Sequence, residues 1–163
     1  MSDAPSPLIL DFRAAMRRVA STVNVITVDA GGQPLGITAT AMSSIAMDPP
    51  SLLVCINRAA YLHGFIEGAS HFAVNVLHRD QQPIAAMFAD RNQHSLRFVE
   101  GWSVEEGRPP RLIDAQASIV CRLTEKHSFG THGIFIGVVE DVAVRKDVAP
   151  LVYLDGSYCG ANS

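Results

Sequence analysis

Charge is sparse in this sequence: Asp, Glu, Lys and Arg make up 18% of its 163 residues, hydrophobic residues 48%, and the formal net charge is −3. No run of Lys or Arg is longer than Arg17-Arg18, so the electrostatic footprint of a nucleic-acid binder is missing. So little surface charge also points to apolar surface that another subunit covers. Cysteine is scarce as well. Cys55, Cys121 and Cys159 are odd in number and show no paired spacing. Cys55 and Cys121 lie in apolar runs and are expected as buried thiols. No apolar run approaches the ~18 residues of a membrane span, and no basic region followed by an apolar stretch opens the chain. The expectation is a reduced, cytoplasmic protein with no nucleic-acid or membrane partner.

Several catalytic signatures are absent too. Neither GxGxxG nor GxxxxGK[ST] occurs, which argues against a dinucleotide fold or a phosphate loop. Ser43 and Ser44 are not set in a GxSxG elbow. His63, His71 and His78 are seven or eight residues apart, which is no metal-ligand spacing, and no metal site is expected. No pair of carboxylates in an apolar setting suggests a glycosidase.

What is present reads as one domain of mainly β structure. Ser6-Pro7 is a helix start, and Phe12, Met16, Val19 and Ala20 share one face, predicting a helix from about Leu8 to Ala20 that packs on a sheet. Val23–Val28 and Pro34–Thr40 flank Asp29-Ala30-Gly31-Gly32, a hairpin signal. Ser51–Ile56 is apolar enough to be buried on both faces. A short helix over Tyr61–Glu67 and a strand over His71–Leu77 follow. Asp80 is the expected N-cap of a helix over Gln81–Ala89. Asp90–Asp114 reads as a long loop. Strands over Ala115–Thr124, Gly133–Val144 and Leu151–Leu154 complete the chain. Six or seven strands with three short helices predict an antiparallel barrel.

The stretch Gly36–Arg58, GITATAMSSIAMDPPSLLVCINR, is unusual: nothing from Gly36 to Ala46 is charged, and small or hydroxyl side chains dominate. Its plain reading is a strand, a turn and a buried strand. Its other reading is a backbone cradle for a flat, polar-edged ligand with a phosphate. A flavin has that shape, and Arg58 offers the planar fork of donors that a phosphate accepts.

Five blocks occur in order along nearly the whole chain: FRAAMRRVASTVNVITV, the Gly36–Arg58 stretch, FAVNVL, GTHGIFIGVVEDV and PLVYLDGSY. Together they resemble the short-chain flavin reductase family, the reductase components of two-component flavin-dependent monooxygenases. The resemblance implies an FMN-binding type split β-barrel and a homodimer with FMN or FAD near the subunit interface. It implies reduction of that flavin by NADH or NADPH and delivery of reduced flavin to a separate monooxygenase. It places Thr38, Ala39, Thr40, Ala41, Met42, Ser43 and Ser44 along the ring and ribityl tail, and Cys55, Ile56, Asn57 and Arg58 along the ring and phosphate. It places His132 at the nicotinamide, with Tyr158 as a second contact. Ala59-Ala60, Thr131 and Ser157 stand where many relatives carry a hydroxyl, an Asp and a basic residue. The alternatives from other classes are a non-catalytic flavin carrier and an oxidase acting on its own substrate.

Overall fold

The structure, a computed structural model, describes residues 4–160. Helix α1 (Pro7–Met16) starts at Pro7 as the sequence predicts, although the Ser6 hydroxyl makes no capping bond. It ends short of Ala20. The Arg17 carbonyl accepts the Asp155 N–H at 2.9 Å instead of continuing the helical ladder, and the Arg17 guanidinium holds Asp155 Oδ1 at 2.9 Å. The expected packing of this helix on a sheet is not found. None of its residues is buried, and Leu8 and Phe12 are 76% and 64% exposed. The helix is tied down only beyond its C-terminal end, so its apolar side finds no surface of its own chain.

Among the described residues, the α-helices and strands that follow are β1 (Ser21–Thr22), β2 (Asn24–Asp29), β3 (Pro34–Ala39), β4 (Met42–Met47), β5 (Pro50–Asn57), α2 (His63–Ile66), β6 (His71–Val76), α3 (Gln82–Ala89), β7 (Trp102–Ser103), β8 (Arg111–Leu112), β9 (Ala117–Phe129), β10 (His132–Val144), β11 (Leu151–Leu154) and β12 (Ser157–Gly160). Seven strands form one antiparallel sheet in the order β3-β2-β6-β9-β10-β5-β4. Its two edges are β3 and β4, yet Ala39 and Met42 are separated only by Thr40 and Ala41. Three Cα steps span at most about 11 Å. The sheet therefore has to curl until its edges nearly meet, which gives the split barrel, and the uncharged stretch singled out in the sequence is the seam.

Strand alternation sorts the side chains. Ile26, Val28, Val54, Ile56, Phe72, Val74 and Phe135 point inward and fill the barrel. On the outside of β2 and β6, Val23, Val25 and Leu77 meet Ala85 and Phe88 of α3 and Leu151 in a second core. Two covered faces explain why β2 and β6 are buried almost throughout. The expectation of two buried faces fails for β5. Leu52, Val54 and Ile56 are buried, whereas Leu53 and Cys55 are only half-buried because nothing of this chain covers the outer face.

Other expectations need correction. The residue capping the turn before α3 is His78, not Asp80: its ring nitrogen accepts the Asp80 N–H at 3.2 Å while the Gln81 side chain accepts the His78 N–H at 2.9 Å. The 90–114 loop contains a 3-10 turn over Arg91–Leu96 and the β7–β8 pair. Arg97 pins it by donating to the carbonyls of Met87, Gly36, Phe88 and Asp90. Strand β9 runs five residues past Thr124 to Phe129. A last strand, β12, pairs with β11 across Asp155-Gly156, both at positive φ (50° and 81°). That is the type I′ hairpin chemistry of Asp-Gly.

Candidate functional site

The seam gathers most of the residues singled out above. The Cys55 N–H donates to the Ala41 carbonyl at 3.0 Å, and the Arg58 N–H donates to the Thr131 carbonyl at 2.9 Å. In the β5–β10 pairing His132 stands opposite Asn57 and Ile134 opposite Cys55; in the β4–β5 pairing Ser43 stands opposite Leu53. Because Val54 and Ile56 point into the barrel, the alternating residues Leu53, Cys55 and Asn57 point outward. Directly opposite residues share a face, so Ser43, His132 and Ile134 lie on that outer face too.

Not every candidate is free to bind. The Thr38 hydroxyl is committed to the Ala85 carbonyl of α3 at 2.6 Å. Ile56 is 1% exposed inside the barrel, which leaves only its backbone. Ser43 Oγ turns to the Ser44 carbonyl at 3.1 Å. Asn57 Oδ1 accepts the Ala59 N–H at 2.9 Å, a local turn in which Arg58 is exposed. The hydroxyls of Thr40 and Ser44 and the guanidinium of Arg58 are exposed, and no hydrogen bond or ion pair among the described residues engages them. Tyr158 sits on β12 opposite Tyr153, rings 5.5 Å apart, and packs on the second core. No pairing or hydrogen bond among the described residues links it to the seam.

The electrostatics are mild. Burial pushes the Cys55 thiol up, so it stays neutral. Burial, and then Tyr153, push the Tyr158 phenol up, so it remains a donor. The Thr131 hydroxyl lies 2.9 Å from His132 Nδ1, which leaves Nε2 as the outward nitrogen. Behind this histidine, Gly133 gives room to His63. A Cβ at Gly133 would lie 2.6 Å from His63 Nε2. His63 is 7% exposed, edge-on to Phe135 at 5.5 Å, with Nε2 unpartnered and Glu67 at 3.9 Å.

Sequence reasoning missed two neighbours of the site. His63 is buried beneath β10, and only the glycine following His132 signalled that something needed the space. Phe129, directly opposite His132, is exposed at the hairpin tip; the two-residue Gly130-Thr131 turn between them was the available signal. Asn75 of β6 is buried, donates to the Val25 carbonyl and accepts from the Leu112 N–H and the Ser118 hydroxyl, a sheet role that leaves it no free polar atom for a ligand.

The donor set fits a flavin. Unengaged hydroxyls at Thr40 and Ser44 suit a ribityl chain, the free Arg58 fork suits a phosphate, and half-buried Leu53, neutral Cys55 and Ile134 offer an apolar surface beside exposed backbone. A split barrel with such a seam defines a flavin-binding oxidoreductase class. The chain belongs to the family of flavin reductase like domains, which matches residues 16–162. It is 38% identical over 162 residues to the reductase component of an FADH(2)-dependent resorcinol hydroxylase of a Rhizobium species, covering 98% of this chain and 90% of the relative. It is 35% identical over 150 residues to an FMN reductase (NADH) of Agrobacterium fabrum, covering 91% and 86%. Its fold is similar to that of an NADH:FAD oxidoreductase of Streptomyces globisporus solved with NAD and FAD fragments, with a TM-score of 0.85 at 26% identity, covering 97% and 96%.

Proposed function

We propose that this chain is an NAD(P)H:flavin oxidoreductase that reduces FMN or FAD and supplies the reduced flavin to a separate monooxygenase. The observation that carries this reading is the meeting, at the barrel seam, of an uncharged stretch with exposed hydroxyls at Thr40 and Ser44, an exposed Arg58 whose N–H bonds the Thr131 carbonyl, and His132 opposite Asn57. Family membership over nearly the whole chain supports it. When bound, the flavin supplies the redox chemistry, accepting a hydride from the nicotinamide. The protein's task is orientation. Thr40, Ala41 and Ser44 hold the ribityl and ring through hydroxyls and backbone. Asn57 sets the turn from which Arg58 holds the phosphate. His132 Nε2 would hold the nicotinamide amide and so orient that ring toward the flavin. No side chain acts as a nucleophile, which suits a neutral Cys55.

The protein acts as a homodimer in this reading. Leu53, Cys55, Ile134, Ile136 and Val138 form a half-buried apolar sheet face contiguous with the site. A second copy covering that face would also wall the flavin. The cofactors and the unpaired cysteines suit the cytoplasm. Among the described residues no helix is long and apolar enough to cross a membrane.

The test is NADH and NADPH oxidation by purified protein, with and without added FMN, FAD or riboflavin. Oxidation that depends on added flavin supports the reductase. A yellow protein inert to both nucleotides supports a carrier instead.

A further inference from the structure

The β9–β10 hairpin ends on an aromatic that belongs to neither core among the described residues. Phe129 is 80% exposed. It closes a run, Thr124–Ser128, in which every residue is polar and exposed. A subunit contact would be expected to carry more apolar neighbours than this. Gly130, at φ 54°, takes the first place of the two-residue turn, the position at which a type II′ hairpin favours glycine. The tight turn fixes Phe129 opposite His132, and His132 is opposite Asn57. The three side chains therefore form a row on one face, running outward from the seam. Strands lie about 4.8 Å apart, so Phe129 is roughly 10 Å from β5. One ring cannot touch both ends of that row, but the two rings of one dinucleotide can.

We propose that Phe129 is the platform on which the purine ring of the pyridine dinucleotide stacks while His132 holds its nicotinamide. The proposal rests on the reductase reading above. An aromatic face held in solvent by a rigid turn loses little entropy on stacking a base, and every purine offers a π face.

The experiment compares wild type, Phe129→Ala and Phe129→Trp with two hydride donors, NADH and reduced nicotinamide mononucleotide, which lacks the adenylate. Sedimentation of each variant runs alongside. The expected result is that Phe129→Ala raises KM for NADH about ten-fold at unchanged kcat. KM for the mononucleotide stays at its wild-type value, Phe129→Trp restores NADH use, and all three proteins sediment alike. An unchanged KM for NADH overturns the proposal. So does an equal rise for both donors, or an altered oligomeric state, which would make Phe129 a subunit contact. A wild type that oxidises neither donor with any flavin overturns the reductase reading itself, and this proposal with it.

Discussion

His132 stands directly opposite Asn57 across the β5–β10 pairing, so the candidate nicotinamide contact and the residue that sets the Arg58 turn sit on one rigid ladder. His132→Ala leaves that ladder intact and removes one hydrogen bond. The expected outcome is a fall in kcat/KM for NADH on the order of ten-fold, the worth of about 1.4 kcal/mol. The flavin dissociation constant should change little. Steady-state kinetics beside flavin fluorescence titration separates the two, and an equal loss in both would contradict the assignment.

Arg58 carries the phosphate in this account. Arg58→Ala removes a charge-assisted contact worth about 1.5–3 kcal/mol, so the FMN dissociation constant rises roughly ten- to a hundred-fold. Riboflavin has no phosphate and should bind both proteins alike. Titration of the two flavins against the two proteins checks this.

Gly133 is where the site and the barrel core compete for space. Gly133→Ala places a Cβ 2.6 Å from His63 Nε2 and 2.9 Å from the Phe135 ring. The expected loss of stability is about 1–3 kcal/mol, as for other overpacked cores. Combining it with His63→Ala should cost less than the sum of the two single changes, measured by urea unfolding.

Asn75 holds the 90–114 loop to the sheet. Its Oδ1 accepts the Leu112 N–H at 2.9 Å and the Ser118 hydroxyl at 3.0 Å. Asn75→Leu strands both donors in a buried setting, a loss of at least ~2 kcal/mol. Urea unfolding should show it, and limited proteolysis should find the loop more easily cut.

Cys121 gives a pH dependence. Burial, with Glu140 adding to it, pushes its thiol up to about 12. The folded pKa lies above the unfolded value near 8.5, so folding favours the neutral thiol. Its contribution is fully present below about pH 8.5 and is lost as pH rises toward 12. Wild type should lose stability more steeply than Cys121→Ala across that alkaline window, measured by thermal unfolding at stepped pH. Exposed Cys159 should react with a thiol reagent at once, and Cys121 only on unfolding.

The sequence carried much of this architecture because alternation and turn chemistry are local. The Asp29–Gly32 hairpin and the place of β5 in the chain could be read without a structure, although not that only one face of β5 is covered. The missed parts depend on what lies across space. Nothing local says that α1 has no sheet beneath it, or that Thr38 spends its hydroxyl on α3. The Asp155-Gly156 pair did mark β12 and was overlooked. Phe129 and His63 became neighbours of the site only once β9 and β10 were set in register.

The most direct measurement mixes purified protein anaerobically with FAD or FMN in large excess over the protein and NADH in excess over the flavin, and follows flavin absorbance. This account predicts that the whole excess is bleached, because each protein molecule reduces flavin repeatedly and releases it. No bleaching, or bleaching that stops at one flavin per protein, would contradict it.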